Sequence, residues 1–257
     1  MTPYADVNVL LTELVKRLGE VLEPNLLGVY LYGSTVTEDF DITLSDVDLL
    51  VVVASDVDAD MFKQLDNLHQ TLVAHHPHWD NRVDIAYLTP QALQTFKTAK
   101  STFAIISPNE PFCYKTAGRE YLLNWWMVRE QSMTLFGSNP QTLIAPISKA
   151  EFLDSVREHV HFWREQWLPT IYRRQDQAYV ILTFCRALYA LEFEQQVSKQ
   201  RASSWAQEAF PQWQSLIHKA FLWRKIHHDD IDHHATLAET HKFVNFASSK
   251  LLNHDQI

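Results

Sequence analysis

Apolar positions in the first hundred residues alternate between helical and strand spacing. Recurrence every three to four residues predicts amphipathic helices, and short apolar or alternating runs bounded by polar residues predict strands. Pro24 marks the end of the first helix, and Thr89-Pro90 marks the start of the third. The predicted helices are residues 7–22, 61–75 and 89–96, and the predicted strands are residues 27–32, 47–54 and 82–88.

The middle of the chain has a less regular pattern. Residues 100–118 are predicted to be irregular because Pro108 and Pro111 lie close together. Residues 120–130 are predicted to be helical, and residues 137–146 are predicted to form a loop with two prolines.

Beyond that loop, no stretch has strand spacing, and the apolar stripes predict a helical bundle. The sequence therefore predicts an α+β protein, with a mixed-sheet domain at residues 1–148 and an all-helical domain at residues 149–257. The predicted bundle comprises a stripe from Phe152 to Trp167 and helices at residues 176–194, 201–209, 212–225 and 231–252.

The composition argues against a nucleic-acid-binding protein and against a membrane protein. The chain has 257 residues, a net charge of −9 and a pI near 5.8, which argues against general affinity for nucleic acid, since that affinity needs many Lys and Arg side chains. An acidic enzyme suits a cationic substrate better. The sequence has neither a signal peptide nor an apolar run of the ~20 residues that cross a bilayer. With Cys113 and Cys185 expected to be reduced, we expect a cytoplasmic protein without membrane partners.

The stretch from Tyr30 to Val53 carries the candidate chemistry. Gly33 and Ser34 follow the first predicted strand, where a glycine permits a sharp turn and the close approach of a phosphate. Asp46 and Asp48 lie at the start of the second strand, two residues apart, so their side chains share a face. A lone Asp-x-Asp is more often two ordinary polar residues at a strand edge, but the Gly-Ser upstream favours a Mg²⁺ site.

A third acidic residue completes the pattern. Asp84 is the acidic residue of the third predicted strand and could deprotonate an attacking hydroxyl or complete the metal sphere, or be a rim carboxylate without a role. Together these residues predict a nucleotidyl-transfer site, in which a metal ion neutralises charge on phosphate oxygens.

The chain resembles the aminoglycoside (3'')(9) adenylyltransferases, which belong to the nucleotidyltransferase superfamily. This resemblance extends over nearly the whole chain in order, and the motifs of the helical half are the specific part. The motifs are LYGS at 31–34, SDVDLLV at 45–51, RVDIAYL at 82–88, REYLLNWW at 119–126, QAYVILTFCRALYALE at 177–192 and VSKQRASSWA at 197–206.

The resemblance implies a Mg²⁺-dependent enzyme that uses ATP as co-substrate. Asp46 and Asp48 match metal ligands, and Asp84 falls where relatives have a catalytic glutamate, one methylene longer. The residues expected at the nucleotide are Gly33, Ser34, Ser45, Arg186 and Lys199. An internal salt bridge is the alternative for Arg186, and a solvated position is the alternative for Lys199.

Trp126, Trp167 and Asp176 match positions that face the antibiotic in the family. Asp84 is also expected to contact the antibiotic. An acid and flat indoles suit a polycationic sugar, although core packing is an equal alternative for each tryptophan. Tyr172 stands where relatives that accept streptomycin carry an aspartate, so spectinomycin is the expected better substrate.

The prediction is therefore AMP transfer to a hydroxyl of an aminoglycoside or aminocyclitol by a monomer without nucleic-acid partners. Two alternatives stay open, a nucleotidyltransferase of the same fold with another small-molecule or protein hydroxyl as acceptor, and an inactive nucleotide-binding module. The His- and Asp-rich segment 227–234 is expected to be a solvated turn rather than a metal site.

Overall fold

The computed structural model describes residues 1–37, 40–224 and 233–252. The chain divides into two compact units, Met1–Ile147 and Ser148–Ile257.

The first unit contains a mixed sheet of six strands within the described residues, in the order β5-β4-β3-β2-β1-β6. Strands β2 and β3 are parallel, whereas all other neighbouring strands are antiparallel. This confirms the mixed sheet expected from the sequence. The strands are β1 Leu26–Tyr32, β2 Val47–Val53, β3 Val83–Leu88, β4 Ser101–Ser107, β5 Glu110–Ala117 and β6 Met133–Gly137.

Alternation along the strands gives the sheet two buried faces. Odd-numbered positions of β2, such as Leu49 and Val51, pack in one apolar cluster with the first two helices. Even-numbered positions, such as Leu50 and Val52, pack in a second cluster with residues of the next two helices. These helices are α1 Ala5–Leu22, α2 Ala59–His75, α3 Pro90–Thr95 and α4 Leu122–Gln131.

The prediction that residues 100–118 are irregular is wrong, because they form the antiparallel hairpin β4–β5. Pro108 lies in the connecting turn, where Asn109 takes the left-handed conformation at φ 65°, and Pro111 lies on β5. Since β5 is an edge strand of the sheet, a proline there need not remove a ladder hydrogen bond. Strand β6, which pairs with β1, was also missed.

In the described residues of the second unit, the regular elements are all helices, as the sequence predicted. Helix α6, Arg174–Phe193, is buried over most of its length and packs against each of the other helices of this unit. The predicted α-helical stripe extends to Trp167, but residues Trp163–Trp167 form a π-helical turn instead. The helices are α5 Lys149–Phe162, α6 Arg174–Phe193, α7 Lys199–Ala209, α8 Gln214–Trp223 and α9 His234–Leu252.

Residues 227–232 of the His-rich segment lie outside the described residues. Cys113 and Cys185 are both free thiols, and burial raises the pKa of Cys185 well above its usual range. None of the helices in the described ranges is both long and apolar enough to cross a membrane.

Candidate active site

The parallel pairing of β2 with β3 brings two of the candidate carboxylates side by side. Asp48 and Asp84 are direct partners in the register of these two strands. Each lies two residues before a member of the second apolar cluster, Leu50 for Asp48 and Ala86 for Asp84. Both side chains therefore lie on the sheet face that packs against α3 and α4. Asp46 lies two residues before Asp48, just ahead of β2, and all three residues are half-buried. The carboxylates therefore gather where β2 and β3 begin.

Gly33 is shaped to fit the Asp48 carboxylate. It has a φ of +74°, in the left-handed region, and a Cβ placed there would lie 2.1 Å from Asp48 Oδ2. No other amino acid could occupy this position without moving the carboxylate. Gly33 opens a short 3₁₀ turn, Gly33–Thr35, which contains the half-buried Ser34. The sequence pattern Gly-Ser thus corresponds to a contact between the turn and the acidic pair.

Ser45 and Arg82 tie the loop before β2 to the start of β3. The Ser45 hydroxyl accepts a hydrogen bond of 3.0 Å from the Asp41 backbone N–H, and Arg82 donates to the Ser45 carbonyl at 2.5 Å. Burial lowers the pKa of Arg82, while the charges of Asp46 and Asp41 act in the opposite direction. This guanidinium places a positive charge beside the acidic group, and sequence reasoning had assigned it no role.

The Asp84 carboxyl has a perturbed pKa. Burial raises the pKa of Asp84 to about 6, and the negative charge of Asp46 acts in the same direction. A hydrogen bond from Ser107 and the charge of Lys115 oppose this rise. The Ser107 hydroxyl donates to Asp84 Oδ1 at 3.1 Å. A carboxyl whose pKa lies close to neutral pH, and which is surrounded by other charged groups, is typical of acid–base sites.

A buried tyrosine adjoins the acidic group. The pKa of Tyr32 is raised well above its usual range by burial, and then by the charges of Asp48 and Asp84. Asn124 of α4 donates to the Tyr32 hydroxyl at 3.4 Å. The phenol is therefore held in its neutral, protonated form at neutral pH. Neither Tyr32 nor Asn124 was among the predicted site residues, although Tyr32 directly precedes Gly33.

The donors present fit Mg²⁺ better than a softer metal. In the described part of the chain, no group of three or more His, Cys, Asp or Glu side chains is arranged to hold a metal ion. Asp46 and Asp48 offer hard oxygen ligands on one side of the site. Mg²⁺ is commonly held by one or two carboxylates together with water and substrate phosphates, so a pair of carboxylates without further protein ligands suits it.

The helical unit places its two predicted phosphate-binding cations in defined environments. Arg186 of α6 is half-buried beside His159 of α5, whose pKa is lowered to about 4 by burial and then by the Arg186 charge. Lys199 opens α7, and its Nζ lies 4.5 Å from the centroid of the Tyr179 ring. Lys199 is thus half-buried rather than fully solvated, the alternative that the sequence left open.

The predicted antibiotic-binding residues differ in exposure. Trp126 is half-buried on α4, next to the fully buried Trp125. In the helical unit, Trp167 is 47% exposed at the end of the π-helical turn, with its ring 4.9 Å from that of Trp163. Asp176 is exposed in the first turn of α6. The exposure of Trp167 argues against the core-packing alternative for that residue.

Tyr172, the position linked to streptomycin, is 45% exposed. Its ring packs against His233 and His234, with centroid distances of 5.2 and 4.7 Å. These two histidines are the described part of the His-rich segment. They contact an aromatic ring rather than forming a cluster of metal ligands within the described residues.

Two family models match consecutive parts of the chain. Residues 11–107 match the nucleotidyltransferase domain, and residues 142–250 match the aminoglycoside adenylyltransferase C-terminal domain. Curated aminoglycoside (3'')(9) adenylyltransferases from Shigella flexneri and Escherichia coli are each 27% identical over 236 residues, with 84% of each chain covered.

A solved structure shows the same fold over both units. It is that of spectinomycin adenyltransferase AAD(9) from Enterococcus faecialis with ATP and spectinomycin, and it superposes with a TM-score of 0.72. The match covers 95% of this chain and 98% of the other, at 16% identity.

Proposed function

Because this chain belongs to the aminoglycoside adenylyltransferase family, we propose that it transfers AMP from ATP to a hydroxyl of an aminoglycoside or aminocyclitol antibiotic. One observation carries the proposal. Asp46, Asp48 and Asp84 converge at the start of two parallel strands, with Gly33 fitted against the Asp48 carboxylate. The family is named for this reaction, and the structurally similar spectinomycin adenyltransferase was solved with ATP and spectinomycin.

In this proposal Asp46 and Asp48 hold Mg²⁺ with the triphosphate. The bound ion would neutralise negative charge on the phosphate oxygens during in-line displacement of pyrophosphate. Gly33, Ser34 and Ser45 are proposed to contact the phosphates, with Gly33 and Ser34 in the 3₁₀ turn beside the Asp48 carboxylate. Asp48 keeps its orientation because its carboxylate packs directly against the backbone of that turn.

Asp84 is proposed as the general base for the attacking hydroxyl. With its pKa raised to about 6 by burial, the carboxyl is ionised at neutral pH yet basic enough to accept a proton. Its side chain is one methylene shorter than a glutamate at the same place. The short side chain requires the acceptor hydroxyl to come close to the sheet.

Arg186 and Lys199 are proposed to contact the triphosphate from the helical unit. Charge-assisted hydrogen bonds from such cations to phosphate are among the stronger polar interactions. His159, kept neutral beside Arg186 by burial, adds no competing positive charge there. Tyr179 supports the Lys199 ammonium through its ring face.

Trp126, Trp167 and Asp176 are proposed to bind the antibiotic. The exposed Trp167 indole offers a flat surface for cation–π contact, and Asp176 offers a carboxylate in the same unit. Tyr172 supplies no carboxylate, and we propose on that basis that spectinomycin is a better substrate than the dicationic streptomycin.

The test is an assay of the purified chain with ATP, Mg²⁺ and a panel of antibiotics, followed by pyrophosphate release and mass spectrometry of the products. We expect antibiotic-dependent pyrophosphate release and an AMP-modified drug, and increased drug tolerance in a susceptible bacterium that expresses the protein. The Asp48→Asn variant is the matched control for contaminating activity. AMP found on a protein or on another small molecule, with no modified drug, would support the alternative acceptor instead. ATP binding without any product would indicate an inactive nucleotide-binding module.

A further inference from the structure

We propose that Ser107 is a positioning residue that fixes the orientation of the Asp84 carboxylate for proton transfer. This inference rests on the proposed function, in which Asp84 is the general base. Ser107 is the last residue of β4, a strand that the sequence pattern did not reveal, and no site role comes to it from the sequence motifs.

The register of the sheet places Ser107 opposite Asp84. Strand β4 pairs antiparallel with β3, with Ile106 opposite Ile85 and Ile105 opposite Ala86. Continuing that register puts Ser107 across from Asp84, and the 3.1 Å bond from its hydroxyl to Asp84 Oδ1 agrees with this placement. Both residues are half-buried, so water competes less for the bond than it would at an open surface.

The Asp84 carboxylate needs a restraint in addition to its backbone position. The terminal torsion of an aspartate side chain is broad and roughly two-fold, so the backbone alone does not select which oxygen faces the substrate. Asp48 is restrained by its close packing against Gly33. For Asp84, the Ser107 hydroxyl occupies Oδ1 and leaves Oδ2 to accept the proton of the attacking hydroxyl.

The surrounding charges cannot provide the same orientation. Lys115 lies near enough to act on Asp84 electrostatically, but it forms its own ion pair with Glu110. A charge at that range attracts both carboxylate oxygens without distinguishing them. The hydrogen bond from Ser107 is directional, and directional restraint is what catalytic geometry requires.

The experiment compares steady-state kinetics of the wild type with Ser107→Ala, Ser107→Thr and Ser107→Cys. We expect Ser107→Ala to lower kcat by about 10- to 100-fold, the range for a misplaced catalytic group, while KM for both substrates and the calorimetric affinity for ATP with Mg²⁺ stay unchanged. Ser107→Thr keeps the hydroxyl and should restore most of kcat. Ser107→Cys is nearly isosteric but a weak donor, so it should repeat the loss even if the alanine variant does not fold.

Two controls separate positioning from packing. Ser101 lies on the same face of the same strand, at its other end, so Ser101→Ala should leave kcat unchanged. Adding Ser107→Ala to Asp84→Asn should cause no further loss, because residues that act through one another are not additive.

The outcomes distinguish the two proposals. A wild-type protein that modifies no antibiotic would overturn the proposed function and this inference with it. An inactive Asp84→Asn enzyme combined with fully active Ser107→Ala and Ser107→Cys enzymes would overturn this inference alone. A further drop in the double variant would also overturn it, since Ser107 would then act independently of Asp84.

Discussion

The acidic residues of the sheet unit and the candidate antibiotic-binding residues of the helical unit differ in exposure. In the sheet unit, the acidic side chains are half-buried and held by strand register, by a glycine that leaves no free space and by a directional hydrogen bond. In the helical unit, Trp167 and Tyr172 are each close to half exposed, and Asp176 lies at the open start of a helix. The acidic residues of the sheet unit are thus held in place, whereas the candidate antibiotic-binding residues of the helical unit are exposed.

This difference follows what each set of residues would do. Transfer of a nucleotidyl group needs reacting atoms held within a fraction of an ångström, and small displacements are costly in rate. Recognition of a flexible cationic sugar needs area and charge, and exposed aromatic and acidic residues supply both. Substitutions in the sheet unit should therefore affect kcat severely, and those at the exposed positions of the helical unit should affect substrate choice mildly.

The largest effect is expected from the first two carboxylates. Asp46→Asn or Asp48→Asn should abolish turnover, because each removes a negative ligand of the proposed Mg²⁺ without changing side-chain size. The midpoint of thermal unfolding should fall little, and circular dichroism will report whether the fold is intact. Near wild-type turnover of either variant in Mg²⁺ would remove that residue from the metal site.

Asp84→Asn should reduce kcat by ~10²- to 10⁴-fold, the contribution of a general base, and leave ATP binding intact. Asp84→Glu is the matched variant and should be tolerated, since relatives are expected to carry a glutamate there. Kinetics combined with calorimetry of ATP binding will separate the two effects. A fully active Asp84→Asn enzyme would show that this carboxylate is not the base.

Gly33→Ala tests the close packing in the sheet unit. The added Cβ would collide with Asp48 Oδ2 and occupy a φ of +74°, so we expect kcat to fall by about 100-fold, as for other small displacements of reacting groups. Gly19→Ala is the matched control, because nothing lies within 4 Å of a Cβ added there. In the interior of α1 it should stabilise the protein by ~0.5–1 kcal/mol in chemical denaturation. Equal activity of the two variants would contradict the role of Gly33.

Arg186→Ala tests a candidate nucleotide-binding residue of the helical unit, which is half-buried on helix α6. Loss of a charged hydrogen bond to phosphate should weaken ATP binding by about 10- to 100-fold, and antibiotic affinity much less. Isothermal titration of each ligand gives both numbers from one preparation. Unchanged ATP affinity would remove Arg186 from the nucleotide site.

The smallest effect is expected at Tyr172. Tyr172 stands where relatives that accept streptomycin are expected to carry an aspartate, and the residue is 45% exposed. A carboxylate there would act mostly as a surface charge, worth ~0.2–1 kcal/mol. Tyr172→Asp should therefore raise kcat/KM for streptomycin, relative to that for spectinomycin, only a few-fold. A clear wild-type preference for streptomycin would refute the proposed selectivity.

Some of this molecule could be predicted from local patterns alone. The alternation of apolar residues placed β1, β2 and β3, and helical spacing placed most helices to within a few residues, because both signals come from one face of an element being buried. The spacing of Gly33, Asp46 and Asp48 indicated a turn and an acidic pair, since each depends on the chain within one strand–turn–strand segment.

The rest depended on contacts between distant segments. The two prolines near residue 110 masked the hairpin β4–β5, because a proline is compatible with an edge strand and the sequence does not say which strand lies at the edge. The available signal was the short run from Thr102 to Ile106, which is rich in β-branched and aromatic residues.

Asp84 was predicted from the sequence as a candidate, but its environment was decided by tertiary structure. The order β4-β3-β2 puts Ser107 on one side of Asp84 and Asp48 on the other, and helix α4 brings Asn124 to Tyr32. These partners come from segments that are far apart in the chain. Local sequence determines which residue types face the sheet, whereas the pairing of strands determines which of them meet, and the pKa of a carboxyl depends on that second choice.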